Sequence, residues 1–283
     1  MKQRWLVVAL GLPLLLAVLL FAPAWATLMV MCAITGVAAY ELLHTAGAAE
    51  KTMLPALCGF TIAAAVAQEV ARFLEYGGSV SPLYGVSRVT ILQWVLVMGL
   101  FFCAVRNYGT ERAVSFRTVA VAIVAGIVFP ALYSGIFLLR QDALYGKLYV
   151  LAPFCIAFAG DALSRYFGMW FGKRKMAPRV SPHKTWAGFL GGPVGSALAM
   201  CLLGAVGARW LGYAPHYPML LLVGVLGNLF GQLGDLSMSL VKRESGVKDY
   251  SHLFLTHGGM LDRFDSTLFI APVVYFFVSA GVI

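Results

Sequence analysis

The chain is built from long apolar runs separated by short polar breaks. Nine runs can be traced, at 5–22, 26–43, 54–73, 90–105, 118–139, 149–171, 188–208, 218–241 and 267–283. Most approach the roughly 20 residues a helix needs to cross the hydrocarbon core, and the fourth is the shortest. Within lipid, only helices and closed barrels satisfy every backbone N–H and C=O. Barrel strands would alternate apolar and polar positions every second residue, and these runs do not. The pattern therefore predicts an all-α polytopic membrane protein with about nine transmembrane helices. It forms a single transmembrane domain over 1–283, with no soluble domain, low-complexity tract or internal repeat.

Composition supports this. The residues are 60% hydrophobic and only 12% charged, whereas a soluble domain averages about 25% charged. Cys32, Cys58, Cys103, Cys155 and Cys201 each fall inside an apolar run and form no CxxC pair. They read as small buried hydrophobes rather than disulfide or zinc partners. Lys2 and Arg4, an apolar stretch and Ala24-Trp25-Ala26 together resemble a signal peptide. A further spanning run follows at once, which favours a retained first helix.

Charge then orients the helices. Lys and Arg near helix ends mark the cytoplasmic side. With the N-terminus inside, the cytoplasmic loops are 44–53, 106–117, 172–187 and 242–266. Together with Lys2 and Arg4 they hold most of the 21 lysines and arginines. The opposite loops hold Arg88, Arg140, Lys147 and Arg209. An odd number of spans leaves the C-terminus on the opposite side. Loops 172–187 and 242–266, the most polar and basic, share the cytoplasmic face.

Only 12 acidic residues occur. Glu41, Glu69, Asp161 and Asp235 lie in or at the ends of apolar runs, where a carboxylate costs about 2.5–3.5 kcal/mol on insertion scales. Glu41 is near a helix end and reads as structural, snorkelling to the interface. Glu69 has Arg72 three residues on and Asp161 has Arg165 four residues on, so each can be a helical ion pair. Asp235 differs: Ser239 and Lys242 follow at offsets of four and seven and share its helix face. Asn228 and Gln232 extend that polar stripe inward. Gly224, Gly227, Gly231 and Gly234 would let a neighbouring helix approach closely.

Beyond the loop, Asp262 and Asp265 are three apart and project together on a helix. Hard oxygen ligands of this kind suit Mg²⁺, which takes one or two carboxylates plus phosphate oxygens and waters. Gly258-Gly259 permits close backbone approach to a phosphate. Lys242, Arg243, Lys248 and Arg263 surround these acids with phosphate-binding cations. Acids for a metal, ringed by cations for phosphates, are the layout of phosphoryl or nucleotidyl transfer. His257 would orient or bind phosphate rather than ligate the metal, because Mg²⁺ prefers oxygen to imidazole. Loop 172–187, with Lys173, Arg174, Lys175, Arg179, Lys184 and a Ser181-Pro182 turn, would close over a triphosphate.

The stretch 239–265 resembles the signature of the phosphatidate cytidylyltransferase (CDP-diacylglycerol synthase) family. It reads Ser239-Leu-Val-Lys242-Arg243, Lys248-Asp249, His257-Gly258-Gly259 and Asp262-Arg263-Phe264-Asp265. Gly234-Asp235 and Ser181-Pro182-His183-Lys184-Thr185-Trp186 also look like the family. The resemblance covers about 155–270, within a catalytic half at 149–283; the helices of 1–148 match only in being hydrophobic. Leu255, His183 and Ala187 depart from the family pattern and bear on the lipid acceptor.

The resemblance implies attack of phosphatidate on the α-phosphorus of CTP, giving CDP-diacylglycerol and pyrophosphate. It implies Mg²⁺ at Asp235, Asp262 and Asp265, with room for a second cation. Lys242 joins them as catalytic. Ser181, Lys184, Thr185, Ser239, Arg243, Lys248, His257, Gly258, Gly259 and Arg263 would bind substrate. CTP, phosphatidate or a related lipid phosphate, and membrane lipids are the expected partners. Nucleic acid is not among them, and a homodimer is left open. The location would be a bacterial inner membrane, with the active site facing the cytoplasm. A CTP-dependent lipid kinase, or a cytidylyltransferase acting on another lipid phosphate, remains the alternative enzyme. A transporter would need polar groups from both sides of the membrane, and a scaffold would need none of these residues.

Overall fold

All nine apolar runs are helical in the computed structural model, which describes residues 2–47, 52–78, 83, 86–254 and 258–283. The helices are α1 (Lys2–Phe21), α2 (Ala24–Ala46), α3 (Leu54–Tyr76), α4 (Arg88–Arg106), α5 (Phe116–Ile123), α6 (Phe129–Arg140), α7 (Gly146–Tyr149), α8 (Ala152–Phe171), α9 (Trp186–Leu211), α10 (Tyr217–Glu244) and α11 (Leu261–Ser279). The fifth run is divided by a π-helical turn, Val124–Val128, between α5 and α6. Seven described stretches are long and apolar enough to span a membrane: α2, α3, α4, Phe116–Arg140, Gly146–Phe171, α9 and α10. The protein is an all-α polytopic membrane protein. Helix α11 opens with Asp262, Arg263 and Asp265, so its first turns are more polar than the others.

Helix starts follow the polar breaks. Ser87 caps α4 by accepting from Val89 N at 3.2 Å. Ser115 does the same for Thr118 N at the start of α5. Thr185 caps α9, its Oγ1 accepting from Gly188 N at 3.1 Å. Each hydroxyl satisfies an N–H that the helix itself leaves without an acceptor.

The chain packs as two compact units, one of 1–137 with 244–263 and the other of 138–243 with 264–283. In the first, α3 packs on α2 and α4 around Met31, Ala38, Leu96 and Leu100. The Glu69 carboxylate is fully buried and accepts from Thr35 Oγ1 on α2 at 2.5 Å. Its hydrogen-bond partner thus lies across the helix interface rather than at Arg72. Gln68 donates to the carbonyl of Gly126 at 2.7 Å, one of those disturbed by the π turn. The five cysteines are free thiols, buried or half-buried.

In the second unit α8 and α9 pack along their length, with α10 and α11 contributing Val223, Ile270 and Val274 to a shared core with Ile156 and Met200. Small residues on α10 set its approach. A Cβ at Gly224 would meet the Ala197 backbone of α9 at 2.7 Å, and one at Gly234 would meet the Asp265 carbonyl of α11 at 2.8 Å. The segment expected as a plain loop at 172–187 is a short antiparallel hairpin, β1 (Lys175–Ala177) with β2 (Ser181–Thr185). The turn is not at Ser181-Pro182, which lie in β2, but at 178–180, where Val180 N donates to the Ala177 carbonyl at 3.2 Å; the chain reverses there and the Thr185 cap then leads it directly into α9.

Candidate active site

The polar stripe read along α10 exists. Asp235 Oδ1 accepts from Ser239 Oγ one turn later, at 3.3 Å. Further inward, Gln232 donates to Asn228 Oδ1 at 2.6 Å and to the Phe189 carbonyl of α9 at 3.1 Å. Ser239 and Lys242 are buried at the other end of the stripe. The carboxylate of Asp235 does not stand alone: Lys184 Nζ, from β2, lies 2.6 Å from its Oδ2. The hairpin therefore delivers a cation directly onto the α10 acid.

Two more acids of the same unit join this pair. Asp265 is 8% exposed on α11 and accepts from Ser266 N at 2.7 Å. It lies within electrostatic range of Asp235, Lys242 and Asp161. The close approach at Gly234 explains this, because it presses the Asp265 backbone against the residue preceding Asp235. Asp161, on α8, interacts with Asp235, Lys184 and Arg165. Its helical neighbour Arg165 is thus one of several charges around it, and the isolated ion pair considered from spacing is replaced by a cluster.

A cavity of about 550 Å³ opens beside this cluster. Asp161, Arg165, Lys175, Lys184, Gln232 and Asp235 are among its lining residues. Ser164, also on the wall, has a buried Oγ with no hydrogen-bond partner. Sequence reasoning did not include Asp161 or Ser164 in the site. The available signal was their spacing on α8, three residues apart, facing a helix rich in small residues.

The remaining expected residues fall into other places. Ser181 pairs with Ala177 in the hairpin, and the Thr185 hydroxyl serves as the α9 cap. Arg243 is exposed and donates through Nε to the Val180 carbonyl, bracing the hairpin. Lys248 and Arg263 are exposed in the first unit. Also in that unit, Asp262 Oδ2 accepts from Tyr250 N and Gly259 N, each at 2.9 Å. Gly258 has φ of +81°, and the Gly258-Gly259 backbone lies close to the carboxylates of Asp262 and Glu41. Glu41 does not snorkel; it is 2% exposed and hydrogen-bonded within the unit. His257 and Leu255 lie outside the described residues.

Among the described residues, no group of three His, Cys, Asp or Glu side chains sits close enough to form a metal site from protein alone. That does not disfavour Mg²⁺, which draws most of its ligands from water and phosphate. Asp235 and Asp265 supply two hard carboxylates within range of each other, which fits such an ion.

Residues 2–280 match the cytidylyltransferase family. A phosphatidate cytidylyltransferase of Bacillus subtilis is 35% identical over 197 residues, 69% of this chain and 70% of that one. A protein of the same name from Brucella abortus is 31% identical over 234 residues, covering 77% of this chain and 84% of the other. One from Haemophilus influenzae is 37% identical over 141 residues, 49% of each chain.

Proposed function

The chain belongs to the cytidylyltransferase family, and from that membership we propose that it transfers CMP from CTP to phosphatidate, giving CDP-diacylglycerol and pyrophosphate. The observation that carries this reading is the pairing of Lys184 with Asp235 at the wall of a polar cavity, with Asp265, Lys242 and Asp161 in range. Acids and cations interleaved in this way can bind a metal–triphosphate, the acids at the metal and the cations at the phosphate oxygens.

In the proposed reaction an oxygen of the phosphatidate phosphate bonds to the α-phosphorus of CTP. The bond from that phosphorus to the bridging oxygen of the β-phosphate breaks, and pyrophosphate leaves. The attacking phosphate is already anionic, so no side chain need remove a proton. Lys184 and Lys242 hold phosphate oxygens, and Arg165 and Lys175 add positive charge at the cavity wall. Asp235 and Asp265, both in the second unit, would hold Mg²⁺, while Asp262, in the first, hydrogen-bonds its own loop at Tyr250 N and Gly259 N. Bound Mg²⁺ would supply charge neutralisation at the phosphate oxygens.

The proposed arrangement has nine spans with the N-terminus in the cytoplasm. Its support is the concentration of basic residues in loops 106–117, 172–187 and 242–266. The active site would then face the cytoplasm, where CTP is made.

The test is purified protein in detergent micelles with phosphatidate, Mg²⁺ and CTP labelled in the cytidine ring. Label is expected in the lipid fraction, with one pyrophosphate per lipid and no product when Mg²⁺ is chelated. Release of labelled CDP into water, with an unlabelled lipid, would identify a kinase and overturn the assignment.

A further inference from the structure

We propose that the cavity formed by α8, α9 and α10 reads the base of the nucleotide, with Gln232 accepting from the exocyclic amino group of cytosine and Ser164 bonding the ring nitrogen beside it. The inference rests on the transfer reaction proposed above, because it concerns the donor nucleotide of that same cavity. Every residue it uses belongs to the second unit.

Along α10, charge gives way to neutral polar groups. Asp235 meets the Lys184 ammonium. About one turn further from the Glu244 end, Gln232 bonds Asn228 and the Phe189 carbonyl. Cations suit phosphate oxygens. A neutral heterocycle is matched instead by amides, hydroxyls and an aromatic face. Ser164, Phe189 and Gln232 all line the cavity. The Phe189 ring is held edge-on by Trp186, with centroids 5.7 Å apart, and offers a surface on which a base can stack.

The orientation of the Gln232 amide is fixed. Its Nε2 donates to Asn228 Oδ1 at 2.6 Å and to the Phe189 carbonyl at 3.1 Å. A backbone carbonyl only accepts, so the amide cannot be turned over, and both of its N–H groups are engaged. That leaves Oε1 as the acceptor of this cavity-lining side chain. The Ser164 Oγ is buried and has no hydrogen-bond partner among the described residues, a penalty that a ligand bond would remove. The two side chains meet at Gly192. A Cβ there would lie 2.6 Å from Ser164 Oγ and 2.8 Å from Gln232 Nε2, so a larger residue would displace both.

Cytosine presents an amino donor next to a ring-nitrogen acceptor, and uracil reverses both. An acceptor that cannot turn pairs with the amino group of cytosine and opposes the O4 of uracil. The Ser164 hydroxyl can rotate, donating to one base or accepting from the other. It therefore adds affinity without choosing, and the choice lies with Gln232.

The experiment measures binding calorimetrically, with Mg²⁺ present, on parent, Gln232→Met and Ser164→Ala, each full length in micelles. The probes are CTP, UTP and the pyrimidin-2-one riboside triphosphate, which lacks the amino group. The parent is expected to bind CTP about thirtyfold more tightly than either of the others, as for a buried acceptor left unmet. Gln232→Met, similar in volume and without the acceptor, should bring the three nucleotides within about threefold. Ser164→Ala should weaken CTP and UTP alike, by about threefold to tenfold, and keep their ratio. A parent that binds all three equally would overturn the proposal, as would a folded Gln232→Met protein that keeps the parental preference. If that variant does not fold, the other two proteins decide, and undiminished CTP affinity in Ser164→Ala overturns the proposal. A parent that prefers CTP in this way yet makes no CDP-diacylglycerol would instead sink the reaction assignment and leave the reading of the base standing.

Discussion

Replacing Asp265 with Asn is expected to cut CDP-diacylglycerol synthesis by on the order of a thousandfold, the upper range for losing one preorganised charged group. Asp265 is buried on α11, accepts from Ser266 N, and sits among Asp235, Lys242 and Asp161. Asn has the same shape and keeps an oxygen for Ser266 N, so the protein should still insert and fold. What it loses is the negative charge that would hold Mg²⁺ against the phosphates. Asp235→Asn should fall equally far, because its carboxylate lines the cavity and lies within electrostatic range of Asp265. Combining the two should add little, since residues acting as one unit fail together. Steady-state rates across Mg²⁺ concentrations, with thermal unfolding as a control, decide the matter. Near-parental turnover in any of these variants would remove that residue from the acid set.

Lys184→Ala should raise the KM for CTP by about tenfold to a hundredfold, the range expected for a lost hydrogen bond to a charged group. The geometry gives the reason. Lys184 Nζ is 2.6 Å from Asp235 Oδ2, at the rim of the cavity, on a strand braced by Arg243 at Val180. A divalent ion on Asp235 would take over the balance of that carboxylate and leave the ammonium to a phosphate oxygen. Lys184→Arg should retain much of the affinity, because the charge remains in reach. Binding of CTP to purified variants, measured calorimetrically, separates this from an insertion defect. Equal affinity in parent and Lys184→Ala would show that the hairpin does not hold the nucleotide.

Much of the fold was legible because lipid imposes a simple rule on sequence. The helices coincide with the apolar runs to within a few residues, since hydrocarbon leaves the backbone no other way to pair its polar groups. The α10 stripe was legible for a similar reason: offsets of four and seven fix a helix face regardless of what surrounds it. The hairpin at 175–185 was not visible, because two short strands of polar residues carry no periodicity that differs from a loop. Asp161 was ambiguous, because Arg165 at i+4 offers a local explanation that satisfies the same spacing. Only the fold shows that Lys184 and Asp235 approach it as well. Glu41 was legible as structural but not as buried, and the expected snorkelling does not occur. Its partners lie 210 to 220 residues away, and nothing near position 41 announces them.

That separation sets a timetable for the growing chain. Segment 244–263 packs with 1–137, so the first unit cannot close until most of the second has left the ribosome. At about 5–20 residues per second, the interval between Glu41 and its partner at 261 is roughly 10–40 s. During it, a carboxylate destined for burial has neither Leu261 nor Met260 to bind. Water, lipid head groups or the insertion machinery must hold the α2 end near the membrane surface until α11 arrives. Nascent chains halted before residue 244 should therefore leave Glu41 open to a water-soluble carboxyl-modifying reagent, and released full-length protein should protect it. Equal labelling of the two would mean that Glu41 is sealed early by some other group.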